Sequence, residues 1–530
     1  MAASLRSRFR ARGLLPLVSA LLVTTFVLTA GPTGAAPRKP AGADVRGSIK
    51  YFFVPSLHSR PFGITPGPDG NLWFTDTDSS MIGRITPSGD VMEFDIGSGK
   101  KPYGIVTGAD GNLWFTEELN NKIGVMDTDG NLLHEYYAPA VDARPAGITA
   151  GPDGNIWFVE MGSGEDITNA VGRVTLDGTV TVFPLFGCAC FPIGVTTGPD
   201  GNLWATEELG AYNGDSTGTI DRITPDGKTI DRYPVPLVSG TESHLPAFIA
   251  AGPDGNVWFT EYNASLHRIG RVKPNGHITE FTLPGDFTNS ASITTGPDGR
   301  LWITQADAGD IAVVRSSGAF VKSFPTHHEP TGITIGPDGN MWFALSLDGE
   351  IGRLKTARSG YAYVLDIASG FVPARRTVDL GTTVEWILEA PGLHRVKDVT
   401  GLGLYDSGRK PPVSFQLFTF TAAGTYRYKD GPGGESGKVG VPADAPSTGQ
   451  AGVAFDVTWA TTAPPSGLVF DVQVKVPGSN SWQPWQSGVT SLSAGYTPGA
   501  PGTYAFRARV RQAAGSAKSG WSPAIMVTVS

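Results

Sequence analysis

The 530-residue sequence predicts an all-β chain, a seven-bladed β-propeller followed by two β-sandwich domains. Three observations predict it. The decapeptide GPDGNLWFTD at 67–76 returns in close copies beginning at Gly108, Gly151, Gly198, Gly252, Gly296 and Gly336, a period of 40 to 54 residues. Each period holds four short strand signals separated by turn residues, the pattern of a propeller blade. The composition, with 70 Gly, 41 Pro and 17% charged residues, suits short strands and tight turns and disfavours a solvated helical protein.

At the start of the chain, Arg6, Arg8, Arg10 and Arg12 precede an apolar run from Leu14 to Ala30, and small residues follow at Gly34-Ala35-Ala36. That order marks residues 1–36 as a secretory signal peptide and 37–46 as a linker. The expectation is a secreted, extracellular monomer with no membrane insertion after cleavage, since no other stretch could span a bilayer. Cleavage takes the formal charge from −8 to −12, because it removes four arginines and no acid. An acidic chain without a basic stripe argues against nucleic acid as a partner.

The propeller is expected over 47–356. In its second unit KPYGIVTG, LWFTE, KIGVMD and LLHEYYAP read as strands, joined through ADGN and TDGN turns. Proline sets the first corner of GPDG, and glycine takes the left-handed position that closes the hairpin. A tryptophan follows each turn, at Trp73, Trp114, Trp157, Trp204, Trp258, Trp302 and Trp342. One large flat side chain per blade is what packing between neighbouring sheets needs. The seventh unit lacks an outer strand, and SIKYFFVP (48–55), ahead of the first copy, has the missing pattern. It is expected to complete the last blade and leave no open edge.

The short DG turns share one face, the bottom; the longer and more variable links share the other, the top, where binding is expected. His58, His244, His327 and His328 lie in top-face links, with Arg60, Lys101, Arg144, Glu242 and Glu329. Phe62, Tyr103 and Thr331 stand at equivalent inner-strand positions just below. The acid after each WFT-like triplet (Asp76, Glu117, Glu160, Glu207, Glu261, then Gln305 and Leu345) recurs in too many blades for catalysis, which breaks a repeat's symmetry. A structural role is expected, with an acidic ring for a cation as the alternative.

PYGI…GPDGNLWFTE…IGRI per blade resembles the virginiamycin B lyase (streptogramin lyase) family over about three-fifths of the chain. The resemblance implies ring opening of cyclic depsipeptides by elimination, with Mg²⁺ and a histidine base. A base must take the proton α to a carbonyl while a cation stabilises the developing enolate. The family's EPHG motif falls on EPTG here, so Glu329 matches the metal ligand and Thr331 stands at the base position. Ser346 stands at the second metal position with Asp348 close by, and Ala291 replaces a substrate-binding histidine. His327 or His328 would have to supply the base.

Residues 360–443 resemble a cupredoxin: FVP, a GTTVEW strand, His394, then GTYRY. Lys429 stands where the copper thiolate is expected, so copper is not expected. Residues 446–530, with Trp459, Tyr504, Arg507 and SGWSP, resemble a fibronectin type III domain. Cys188 and Cys190 read as a local loop pair or two free thiols. The residues favour a binding module for a small molecule, peptide or cell-surface ligand, gripped by Phe62, Tyr103, Arg144, His244, Thr331 and His58. The alternative is a Mg²⁺-dependent carbon–oxygen lyase using Glu329 with His328 or His327. No cofactor beyond that Mg²⁺ is expected.

Overall fold

The computed structural model describes residues 47–140, 142–162, 169–185, 191–208, 218–236, 245–262, 268–284, 290–431 and 434–530. The expected signal peptide and linker, His244, Glu242, Cys188 and Cys190 lie outside the described residues. Seven four-stranded antiparallel sheets follow one another along the chain. The first holds Pro61–Pro66, Leu72–Asp76, Met81–Ile85 and Val91–Asp95 from inside out. The seventh closes as expected: Ile49–Phe53 pairs antiparallel with Glu350–Leu354, Ile49 opposite Leu354 and Phe53 opposite Glu350.

The tryptophans lie between blades. Trp73 packs with Ile105, Leu113 and Phe115 of the second blade, and Trp342 with Phe52, Ile64 and Phe74 across the closure. The aspartate of GPDG does more than shape its turn. In all seven blades its carboxylate accepts the indole N–H four residues on, as Asp153 does from Trp157 at 3.0 Å and Asp338 from Trp342 at 2.9 Å. The same carboxylate takes the amide of Asn155 at 2.8 Å. Asp153→Ala therefore leaves a buried donor unmet and is expected to destabilise the propeller by about 1–3 kcal/mol. Asp153→Asn, which keeps an acceptor oxygen, is expected to cost less. Thermal denaturation of the two variants distinguishes them, and equal losses would refute the indole bond as the cause.

The threonine of WFT stitches blades together. Thr75 Oγ1 accepts from Gly63 N of its own blade at 2.9 Å and donates to Tyr103 O of the next at 2.8 Å. Thr116 repeats this with Gly104 and Ala146, and Thr304 donates to Thr331 O at 2.6 Å. The seventh blade has Ala344 at that position. There the hydroxyl of Thr331 takes over, 3.3 Å from both Pro61 O and Phe62 O of the first blade.

Two sandwiches follow. In the first, a sheet containing Tyr361–Ile367 and Thr383–Leu388 faces one containing Gly424–Asp430 and Ser436–Val441, around Trp386, Tyr426 and Tyr428. The second has a five-stranded sheet centred on Gly502–Gln512 and a two-stranded one, around Trp459, Phe470 and Phe506. Their apolar core is continuous, and bridges Ala422–Ala460 and Thr425–Gly520 tie the two together. The first sandwich also packs on blade seven, where Tyr363, Leu365 and Ile387 join Met341 and Phe343. Its Ile367, Glu389 and Pro391 face the bottom of the axial channel across a cavity of about 190 Å³. The bottom mouth is thereby covered.

Candidate functional site: the top face of the propeller

The residue before each inner-strand proline sets the character of the top face. These residues are Arg60, Lys101, Arg144 and Glu329 in blades one, two, three and seven, and the apolar Phe191 and Leu245 in blades four and five. A residue before proline is pushed out of the right-handed helical region. Three of the four charged residues resolve this with a left-handed backbone, φ 49° at Lys101, 45° at Arg144 and 48° at Glu329. Non-glycine residues held there carry strain that packing must offset, a feature that concentrates at functional sites.

Glu329 is already engaged. Its Oε2 accepts the hydroxyl of Ser346 at 2.5 Å and lies 3.8 Å from Arg60 Nη2, while Nη1 of the same guanidinium is 3.8 Å from Asp78. The histidines have other partners. His327 stacks on Tyr51 at 3.7 Å between ring centres and bonds Glu350 at 2.8 Å through Nδ1. His328, 83% exposed, sits 3.5 Å from Asp348, which also holds the His328 backbone N–H at 2.8 Å. His327 and His328 lie in a bend, so the alternation of an extended strand does not separate the two rings. Asp348 is thus committed to His328, while Ser346 is the residue beside Glu329. His327, Asp348 and Glu350 bring ligand atoms within 4.8 Å of one another, a grouping that leaves Glu329 out. Thr331 is 5% exposed, its hydroxyl spent on the blade closure. His58 is exposed with φ 61°, and no contact of its ring defines a site.

Phe62 and Tyr103 meet over the axis, 4.2 Å between ring centres, with Phe248 6.3 Å from Phe62. They roof an apolar cavity of about 150 Å³ lined by one Ile or Val per blade, from Ile64 to Ile333. Around Tyr103 stand residues the sequence reading had not singled out. Glu118, Glu208 and Tyr262 follow the repeated acid in blades two, four and five. Burial pushes the Tyr103 hydroxyl well above its ordinary pKa, and the charges of Glu118 and Glu208 add to this. Glu118 is raised by burial and held by Lys101 and Arg144, the latter at 4.0 Å. Glu208 is 4% exposed, and burial pushes it up to about 7. Tyr262 is raised by burial and then by Asp307, Glu208 and Glu329. The mouth therefore sets bases on blades one to three, with Asp78 and Glu118 beside them, against acids on blades four, six and seven, with aromatic rings between.

The repeated acids turn into their blades. Asp76 accepts Arg60 N at 2.6 Å, Glu117 takes Asn120 Nδ2 at 2.7 Å and pairs with Lys100 at 3.4 Å, and Glu207 takes Thr219 at 2.7 Å. These three brace their own blades, the structural role expected of them, whereas neither carboxylate oxygen of buried Glu160 has a hydrogen-bond partner among the described residues.

Comparison with known proteins accords with this architecture. The family model described as "Virginiamycin B lyase family" matches residues 41–214 and 211–369. A virginiamycin B lyase of Saccharopolyspora erythraea is 48% identical over 42 residues, which is 8% of this chain and 14% of that relative. The chain thus spans about one-seventh of the curated relative it matches. Among solved structures, a streptogramin B lyase is 32% identical with a TM-score of 0.51, covering 58% of this chain and 96% of that one. A catalytically inactive virginiamycin B lyase from Staphylococcus aureus with quinupristin is also 32% identical, TM-score 0.52, covering 58% and 99%.

Proposed function

The chain belongs to the virginiamycin B lyase family, and from that premise we propose that it is an exported ligand-binding propeller in which the family's lyase centre is not assembled. One observation carries the reading. The base position is Thr331, and its buried hydroxyl does the work that Thr75 and Thr116 do elsewhere, stitching one blade to the next. A hydroxyl committed to backbone carbonyls, with an ordinary pKa far above 7, does not abstract a proton. Glu329, the residue matching a metal ligand, instead holds Ser346 and Arg60.

What supports binding is the divided mouth. Aromatic rings at its centre offer apolar area, and Glu208 offers a buried carboxyl group whose pKa burial pushes up to about 7. A small amphipathic ligand with a cationic group, of peptide or depsipeptide character, fits that arrangement. The contrary reading, a Mg²⁺-dependent lyase with Glu329 as ligand and His327 or His328 as base, rests on the closeness of both histidines to Glu329 in the chain. If Mg²⁺ binds there, it would supply the charge that stabilises an enolate, while Arg60 would have to release Glu329.

Quinupristin, named with the solved relative, is the first probe. Calorimetric titration is run with Mg²⁺ and with EDTA, and the mass and ring state of the recovered compound are measured. Binding that is indifferent to EDTA, without ring opening, and weakened about tenfold or more by Tyr103→Ala is the expected result. Metal-dependent ring opening that disappears in Glu329→Gln would overturn the proposal in favour of the lyase.

A further inference from the structure

We propose that the first sandwich carries a site for a divalent transition-metal ion, formed by His394 Nδ1, Asp366 and Asp430 beside the bottom turns of the propeller. The three residues come from separate elements: the strand Tyr361–Ile367, the segment bridging to Lys410, and the end of Gly424–Asp430. His394 is 6% exposed, and its Nε2 lies 2.7 Å from Ala390 O. Donation to that carbonyl fixes the ring, as a carbonyl commonly does for a metal-binding histidine; in the metal-free chain Nδ1–H faces the carboxylates, and loss of that proton would turn the Nδ1 lone pair to an ion. Nδ1 is 2.8 Å from Asp430 Oδ2 and 2.9 Å from Asp366 Oδ2. One ligand atom from each lies within 4.8 Å of the others.

Two further observations separate a metal site from a closed ion triad. Asp366 is 2% exposed, and its Oδ2, aimed into the cluster, has no properly directed hydrogen-bond donor. Charge is the second. One imidazolium against two carboxylates leaves a net negative charge in a nearly closed site, and Glu435, in the adjoining cavity, increases it. The guanidinium of Arg395, next in the chain to His394, is turned to Asp406 at 2.5 Å, and the Arg395 backbone N–H serves Asp430. A divalent ion with a neutral imidazole balances the two aspartates.

Ligands of a tetrahedral zinc ion stand about 3.3 Å apart, so each carboxylate need withdraw only about half an ångström. The adjoining cavity of about 180 Å³, lined by Glu435 and the propeller turn at Gly151, Pro152 and Gly154, has room for the remaining ligands. One nitrogen and two hard oxygens suit zinc or a similar ion and supply no thiolate for blue copper.

The test uses the full chain without a polyhistidine tag, stripped with EDTA and titrated with Zn²⁺ by calorimetry. One equivalent is expected to bind with a dissociation constant of about 1 μM or lower and to raise the melting temperature. Asp366→Asn, nearly isosteric, and His394→Gln are each expected to weaken it about a hundredfold. The double change His327→Ala with Asp348→Asn, on the top face, is expected to leave that equivalent in place. Absence of zinc binding, retention of the equivalent in both Asp366→Asn and His394→Gln, or its loss only with the top-face change would overturn the proposal.

Discussion

Gly332→Ala is expected to destabilise the propeller by about 3 kcal/mol or more, the upper end of what overpacking costs. The inner strands meet around the axis through glycine backbones. A Cβ on Gly63 would lie 2.7 Å from Tyr103 O, on Gly147 2.5 Å from Ile193 O, and on Gly332 2.4 Å from Phe62 O. At Gly332 the next atoms met are Gly63 Cα and Ile64 N, both at 3.2 Å. All three are main chain, so no side chain can swing aside and the blades themselves must part. Blades five and six carry Phe248 and Ser292 at this position, so a Cβ fits only where the neighbouring strand stands off. Blade seven is completed only by the hydrogen-bonded pairing of Ile49–Phe53 with Glu350–Leu354, and the Gly332 contact sits beside the Thr331 hydrogen bonds that join this blade to the first, so loosening it weakens the closure of the ring. Gly499→Ala, where an added Cβ meets nothing, is the control. Thermal melting reads the difference; an unchanged transition in Gly332→Ala would mean that the ring absorbs the strain.

That glycine ring shows where the sequence was and was not legible. Blade number, closure by Ile49–Phe53 and the tryptophan seam follow from periodicity, because every unit repeats the same within-sheet pattern. Contacts between blades leave a weaker trace. The threonine of WFT could be read as one more strand residue, although its hydroxyl bonds a carbonyl 28 residues away. The aspartate of GPDG has an evident turn role, which hid its bond to the indole. Its invariance at Asp69, Asp110, Asp153, Asp200, Asp254, Asp298 and Asp338, always four residues before tryptophan, was the available signal. In the site, Tyr103 and Phe62 were found because one inner-strand position was compared across blades. Glu118, Glu208 and Tyr262 leave no such signal, because they do not repeat from blade to blade and stand one residue after the repeated acid, whose side chain alternates to the other face of the sheet. His394 was judged against a copper site alone, and its carboxylate partners stand 28 residues before it and 36 after it, where no motif joins them.

Arg232→Met is expected to cost about 3–5 kcal/mol near pH 8 and distinctly less near pH 5. Arg232, in the outer strand of blade four, bonds Glu207 directly and Asp221 at 3.2 Å, and both acid side chains are fully buried. Burial pushes Asp221 up to about 8, so its ionised form grows as pH rises toward 8 and comes to depend on the guanidinium beside it. Methionine fills similar volume but carries no charge. The sign follows from linkage. The folded-state pKa of Asp221 stands above its unfolded value, and removing Arg232 takes away the cation beside its ionised form. Its stability contribution is fully present below the unfolded value and lost as pH climbs through the folded one, toward 8. Melting temperatures of the parent and variant chains at pH 5 and pH 8 decide the matter. A deficit that widens with pH places the cost in stranded carboxylates. An equal deficit at both values would place it in lost packing by the arginine stem, and the buried pair would then contribute little to this blade.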